Sequence, residues 1–198
     1  GVRVISSRQA LENKDLPTSI VIVGGGAIGV EFASIYNAYD VKVTLVELQD
    51  RIVPLEDEEI SRQLERSMSR KGITIVTSSK VEGLVYEDDH LIVTIEGSEG
   101  KADLECEQVL VAVGVQGNIE GLKLEELGVN MEKGFIEIDQ HMTTSVPNVY
   151  GIGDVTGKLL LAHSASAQGV YTVERIAGLD PQILSYIDMP KATYCNPQ

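Results

Sequence analysis

The chain has 198 residues, of which 43% are apolar and 23% charged, an ordinary composition for a globular protein. Its 16 basic and 30 acidic residues give a net charge of −14. Without a Lys/Arg cluster, this charge predicts no nucleic-acid binding and no anionic membrane surface as partner. No apolar run reaches the roughly 18 residues of a transmembrane helix. Cys106 and Cys195 are far apart and form no CxxC pattern, so we expect reduced thiols in the cytoplasm and no metal site.

The first part of the chain predicts alternating strands and helices. Residues 1–18 are predicted to be a connector, and the run 19–23 (SIVIV), β-branched and apolar from Ile20 on, predicts a strand buried on both faces. A helix follows with the apolar stripe Ile28, Phe32, Ile35 and Tyr39; then come a strand over 41–47, a helix over 57–71 with the stripe Ile60, Leu64 and Met68, and a strand over 73–77. This order predicts half of a doubly wound parallel sheet.

The middle of the chain changes to a period of two. Alternating apolar and polar residues over 81–86, 91–96 and 102–106 predict an antiparallel three-stranded meander packed on one face. The sequence then predicts a buried strand over 109–113, short strands over 135–138 and 149–152, and a helix over 162–176. The predicted fold class is therefore α/β, a Rossmann-like doubly wound domain with a meander, followed by a smaller region.

The glycine-rich loop between the first predicted strand and helix indicates a dinucleotide site. Gly24 allows a tight turn, Gly26 lets a pyrophosphate approach the backbone, and Gly29 lets the helix lie close to the strand. The free N–H groups at the helix N-terminus attract phosphate. The less specific interpretation is a glycine turn without a ligand.

Glu47 ends the second predicted strand, where this motif places an acid. A carboxylate there accepts hydrogen bonds from ribose hydroxyls and repels a 2′-phosphate. The next residues, Leu48, Gln49 and Asp50, are not basic, and the nearest cation is Arg51. The pattern predicts NAD rather than NADP; the alternative is a surface glutamate.

Five segments of the chain resemble the dihydrolipoyl dehydrogenases, within the flavin-dependent pyridine nucleotide-disulfide oxidoreductases. They are 17–33 (PTSIVIVGGGAIGVEFA), 109–114 (VLVAVG), 146–154 (VPNVYGIGD), 160–163 (LLAH) and 194–198 (YCNPQ). The resemblance implies an NAD-binding domain over 1–117, part of a second, FAD-binding Rossmann-like domain over 118–186, and the start of an interface domain over 187–198.

The resemblance also implies binding residues. The NAD set is Gly24, Gly25, Gly26, Ala27, Ile28, Gly29, Val30, Glu31, Glu47, Val81 and Gly114. The FAD set is Asp154, Leu160, Leu161, Ala162 and His163. Glu31 would pair with a lysine beside the flavin, and His163 would act mainly through its backbone. Without the family, Asp154 could equally form an Asx turn, and both cysteines are interpreted as ordinary thiols.

The resemblance implies a reaction whose catalytic residues we do not find in these 198 residues. The family oxidises a dihydrolipoyl group with NAD, through a redox disulfide, FAD and a His–Glu base. We expect the disulfide upstream and the base downstream, so that the chain is a central fragment with half an FAD site, colourless and inactive by itself. The parent is expected to be a homodimer within a 2-oxo acid dehydrogenase complex. Val115 and Gly117 stand where the family has Arg and Pro, a departure that concerns the nicotinamide-side contacts and the sub-family. One alternative is therefore another NADH-dependent enzyme of the group, of the NADH oxidase or mercuric reductase type. A separate alternative, from another class, is a non-catalytic NAD-binding module.

Overall fold

The computed structural model describes residues 3–98 and 100–197. Gly1 and Val2 of the predicted first domain, Glu99 of the meander and Gln198 of the predicted interface segment lie outside the described residues. The chain divides into two compact units. The first runs up to Gly114 and also contains the residues from Ala192 onward, and the second is Val115–Lys191.

The first unit is built from eight strands and three helices in its described part. The strands are β1 (Val4–Ser6), β2 (Ser19–Val23), β3 (Lys42–Val46), β4 (Thr74–Val76), β5 (Lys80–Tyr86), β6 (Leu91–Gly97), β7 (Gly100–Cys106) and β8 (Gln108–Val111). The helices are α1 (Ser7–Glu12), α2 (Ala27–Ala38) and α3 (Glu58–Arg70). A parallel sheet has the order β1-β8-β2-β3-β4, and an antiparallel sheet has the order β5-β6-β7. The predicted α/β class, with its Rossmann-like sheet and its meander, is confirmed.

The parallel sheet is buried on both faces, as the unbroken run of β2 predicted. Ile20 and Ile22 point into a core shared with the helices, whereas Val21 points into a second core shared with the meander. From β6, Leu91, Val93 and Ile95 enter that second core. Alternate residues of β2 thus pack into two different cores, which is why the strand is apolar from Ile20 to Val23.

Three sequence predictions about the first unit are wrong. Residues 1–18 are not a simple connector, because β1 joins the sheet edge beside β8 and α1 follows it. Ile35 and Tyr39 of α2 are exposed, as is Ile60 of α3. The residues that α2 buries are Gly29, Val30, Phe32, Ala33 and Tyr36. Since α2 is apolar around most of its circumference, its periodicity alone did not identify the inner face.

The second unit has less regular structure. Its elements are α4 (Leu124–Leu127), β9 (Met131–Glu132), β10 (Phe135–Ile136) and α5 (Ala162–Ile176), with 3₁₀ turns at Asp154–Thr156 and Tyr186–Asp188. The predicted helix over 162–176 is confirmed. The predicted strand over 135–138 is shortened to β10, and the one over 149–152 is reduced to a single bridge between Thr143 and Tyr150.

Both cysteines are free and buried, as expected of ordinary thiols. Burial is the main cause that raises the pKa of each thiol. Both lie in the first unit: Cys106 is in the core under the meander and Cys195 in the core under the helices. Their separate cores leave them unbridged.

Candidate functional site

The glycine loop lies at the carboxyl end of the parallel sheet. Gly24 N–H donates to the carbonyl of Val46 at 2.8 Å, and Ala112 N–H donates to the carbonyl of Val23 at 2.8 Å. The loop therefore leaves β2 between the ends of β3 and β8. In open α/β sheets this is the edge at which ligands bind.

At positions 24 and 29 only glycine fits, because the backbone of neighbouring residues lies too close for a Cβ. Gly24 has φ +107°, and a Cβ there would collide with the carbonyl of Ala112. A Cβ at Gly29 would collide with the carbonyl oxygen of Gly24 and lie 3.5 Å from Leu45 Cδ1. These contacts bring α2 against the strand and aim its N-terminus at the loop, as the sequence predicted for Gly29.

The first turn of α2 offers backbone donors. Gly26 is the N-cap, and the first helical bond runs from Val30 N–H to its carbonyl at 3.1 Å. The N–H groups of Ala27, Ile28 and Gly29 precede this bond, so they lack i−4 partners. A Cβ at Gly26 would meet nothing within 4 Å, so the approach is open. This combination fits a phosphate group.

Glu47 is buried at the end of β3 and is 8% exposed. Its Oε2 accepts a hydrogen bond from Gly25 N–H at 2.5 Å, and its Oε1 accepts one from Gln49 N–H at 2.7 Å. The carboxylate therefore ties the glycine loop to the segment after β3. An ionised carboxylate has about four acceptor sites, so two N–H donors leave capacity for ribose hydroxyls. Glu47 can thus act both as a brace of the loop and as a ligand.

A cleft of 330 Å³ opens beside Glu47. Its lining combines the strand ends with the segment that leads into β5: Val23, Gly24, Val46, Glu47, Leu48, Gln49, Ser79, Lys80, Val81 and Val113. The backbone connects its two walls, because Ser79 N–H donates to the carbonyl of Glu47 at 3.0 Å. Three of the predicted NAD residues, Gly24, Glu47 and Val81, meet here. Gly114 directly follows Val113 of the wall.

Two residues of the predicted NAD set make other contacts. The side chain of Val30 is fully buried in the core, and its N–H is used by the first helical bond. The carboxylate of Glu31 accepts a hydrogen bond from Tyr194 N–H at 2.7 Å. Asn196, two residues further on, is also bound to the helices: its N–H donates to Ser34 Oγ of α2 at 3.3 Å, and its carbonyl accepts from Lys71 Nζ at 2.6 Å. Glu31 thus anchors the C-terminal segment to α2.

The predicted FAD residues of the second unit are exposed or half-buried. Asp154 and His163 are exposed, and Leu160 is 41% exposed. Leu161 is the N-cap of α5, and the first helical bond runs to its carbonyl from Ala165 N–H at 3.0 Å. The N–H groups of residues 162–164 precede that bond and resemble those of α2. These donors and the exposed carboxylate of Asp154 suit a polar, partly anionic cofactor.

Sequence reasoning missed a residue that supports this second region. Gln168 is fully buried; its Oε1 accepts from Gly153 N–H at 2.5 Å, and its Nε2 donates to Tyr186 Oη at 2.9 Å. It fixes the turn that presents Asp154. The available signal was the polar row Ser164, Gln168 and Thr172 at a spacing of four, all of it buried. In sequence such a row is typical of a solvated helix face.

Within the described residues, every helix is too short or too polar to cross a membrane.

The chain resembles known proteins over its whole length. Residues 1–169 match the family described as "Pyridine nucleotide-disulphide oxidoreductase". Among curated proteins, the dihydrolipoyl dehydrogenase of Chlorobaculum tepidum is 44% identical over 199 residues, and that of Bacillus subtilis 40% identical over 200 residues. Each alignment covers 100% of this chain and 42% of the relative. The chain thus spans less than half the length of these relatives.

Solved structures show the same likeness. The crystal structure of LpdA from Mycobacterium tuberculosis matches with a TM-score of 0.88 and 27% identity, over 98% of this chain and 42% of that one. The HOCl-induced flavoprotein disulfide reductase RclA from Escherichia coli matches with a TM-score of 0.79 and 28% identity, over 88% and 40%.

Proposed function

The chain belongs to the pyridine nucleotide-disulphide oxidoreductase family, and we propose that it provides the NAD-binding part of a dihydrolipoyl dehydrogenase. The observation that carries the proposal is the joining of the glycine loop to Glu47, with the cleft of 330 Å³ beside them. The similarity to dihydrolipoyl dehydrogenases, at 40–44% identity for the two relatives above, supports this choice of activity.

The residues present fit NAD. The first-turn N–H groups of α2 would hold the pyrophosphate at the open Gly26, and Glu47 would accept the adenosine ribose hydroxyls. Val81 and Leu48 would bound the adenosine in the cleft, and Gly114 would lie toward the nicotinamide. When bound, the nicotinamide is the group that accepts a hydride. The chain's own contribution is to orient the dinucleotide and to exclude a 2′-phosphate.

The whole reaction we propose is the oxidation of a dihydrolipoyl group by NAD, which yields a lipoyl group, NADH and a proton. The two buried, separate cysteines of this chain do not form the redox pair that the reaction needs. Asp154 and the segment Leu160–His163, which leads into the first turn of α5, would contribute to an FAD site through a carboxylate and backbone donors. A cytoplasmic homodimer within a 2-oxo acid dehydrogenase complex belongs to the same proposal.

A second candidate is another flavin-dependent disulfide reductase that uses NADH. The likeness to RclA, at 28% identity, favours this wider class. Both candidates share the NAD site and differ in the disulfide substrate. The site residues described above do not distinguish between these substrates. The identity of the curated relatives, at 40–44%, favours the dihydrolipoyl dehydrogenase.

Calorimetric titration of the chain with NADH and with NADPH tests the proposal. We expect tighter binding of NADH, because the carboxylate of Glu47 repels a 2′-phosphate. Glu47→Ala should weaken NADH binding by about 1–3 kcal/mol and narrow the difference between the two nucleotides. The matched control is Glu56→Ala, since Glu56 follows the same segment outside the cleft lining. Equal or reversed affinities in the unmodified chain would contradict the proposal.

A further inference from the structure

One cation of the NAD cleft is held by a neighbouring carboxylate. Among the described lining residues Lys80 is the one basic side chain. Its Nζ lies 2.8 Å from Oε1 of Glu82, two residues further along β5. Arg51, the cation that the sequence pointed to, is not part of the lining and lies 3.6 Å from Asp50. Whether a positive charge is available beside Glu47 thus depends on how Glu82 holds the Lys80 ammonium.

Lys80 lies close to Glu47, on the side of the cleft where the ribose would bind. The preceding residue, Ser79, donates its N–H to the carbonyl of Glu47 at 3.0 Å. A lysine carries a point charge on a flexible four-carbon stem, so a free Lys80 ammonium could turn toward a phosphate beside Glu47. A cation at this place is what a 2′-phosphate requires.

The backbone of β5 positions Glu82 against Lys80. The pairing of β5 with β6 shifts between Val81 and Gly83, which makes Glu82 the extra residue of a β-bulge. Bulges redirect side chains. Glu96 is the register partner of Lys80 on β6 and adds a second carboxylate. The hydrogen bond to Glu82 raises the pKa of Lys80 and lowers that of Glu82, so both stay ionised at neutral pH.

We propose that Glu82 is a specificity-determining residue that acts through Lys80. By holding the ammonium along β5, it keeps the rim cation away from a 2′-phosphate and so supports the preference for NADH. Glu47 excludes the phosphate directly, and Glu82 removes the charge that would compensate for it. This inference rests on the proposed NAD site.

The test compares NADH and NADPH affinities by calorimetry for the unmodified chain, Glu82→Gln, Glu82→Asp, Lys80→Met and the double variant Lys80→Met/Glu82→Gln. An exposed ion pair is weak, so we expect Glu82→Gln to tighten NADPH binding by about two- to fivefold at low salt. NADH affinity should stay the same. Glu82→Asp should retain the original preference, and the gain should vanish in the double variant and at about 0.5 M salt.

The outcomes separate the two proposals. If Glu82→Gln leaves the NADPH affinity unchanged while NADH still binds, the role of Glu82 is overturned and the proposed NAD site is not. A gain that persists without Lys80 also overturns it, because the effect would then not pass through the ammonium. If the unmodified chain binds neither nucleotide, the NAD site itself is wrong, and the role of Glu82 falls with it.

Discussion

Both candidate cofactor regions contain a carboxylate, but the surrounding chain supports it differently in each. In the first unit, Glu47 is buried; one carboxylate oxygen accepts a hydrogen bond from Gly25 N–H of the glycine loop, and the other accepts one from Gln49 N–H in the segment after β3. In the second unit, Asp154 is exposed, and its turn is held from behind by the buried Gln168. In the first region the candidate binding residue, Glu47, also supports the loop, whereas in the second region a separate residue, Gln168, supports the turn that carries Asp154. A mutation of the brace should therefore affect binding directly only in the first region.

The largest expected effect is on the close packing that makes the first region rigid. Gly29→Ala would force a Cβ into the carbonyl of Gly24. We expect a loss of about 3 kcal/mol or more in the free energy of unfolding, together with the loss of NADH binding. Urea titration followed by circular dichroism measures the first effect, and calorimetry the second.

Gly26→Ala is the matched control, because its Cβ would meet nothing within 4 Å. It should change the free energy of unfolding by less than about 1 kcal/mol, yet weaken NADH binding through contact with the pyrophosphate. Equal stability of the Gly29 and Gly26 variants would show that the loop can relax and that the first region is not rigid.

Gln168→Leu tests the separate brace of the second region. It leaves Gly153 N–H without its acceptor, so we expect a loss of about 1–3 kcal/mol and faster hydrogen exchange at Gly153. NADH affinity should not change. Tyr186→Phe removes the hydrogen bond from Gln168 Nε2 and the weak contact of the hydroxyl with Met142 Sδ at 3.7 Å, but leaves the acceptor of Gly153 in place, and it should cost about 1 kcal/mol. Unchanged exchange at Gly153 in Gln168→Leu would remove the distinction between the two regions.

The smallest expected effect is at the opposite end of the parallel sheet. Glu107 accepts hydrogen bonds from Thr18 N–H at 2.8 Å and from its hydroxyl at 2.9 Å, and the N–H bond is the main cause that lowers the pKa of Glu107. A lowered pKa means that the stabilisation is present above the ordinary value of 4.5 and disappears as the pH falls through the folded-state pKa.

Glu107→Gln should therefore lower the Tm slightly near pH 7, and the difference from the unmodified chain should shrink as the pH falls below 4.5, as thermal melts across this range would show. Its NADH affinity should stay the same, since Glu107 is remote from the loop along β8. A weaker NADH affinity would mean that the first region is not self-contained and that its geometry depends on the far end of the strands.

Local patterns in the sequence were sufficient to predict most of the elements and the glycine loop that lies beside Glu47. The unbroken run of β2, the glycine spacing and the acid at the end of β3 act over a few residues, so their physical cause is readable in order along the chain. The helix α5 was predicted within its observed bounds for the same reason. By contrast, β1 was missed although Ser6 and Gln9 form a capping box just after it, because a three-residue strand is defined only by its partner β8.

The sequence alone determined which chemical groups are available: the glycines, Glu47, and the polar row on α5. Tertiary structure alone decided which of them are buried and what they contact. Glu31 contacts Tyr194 and Gln168 contacts Gly153, both through contacts between distant residues that periodicity does not encode. A polar side chain can lower its free energy either in water or with a buried partner, and only the folded chain places that partner within hydrogen-bonding distance.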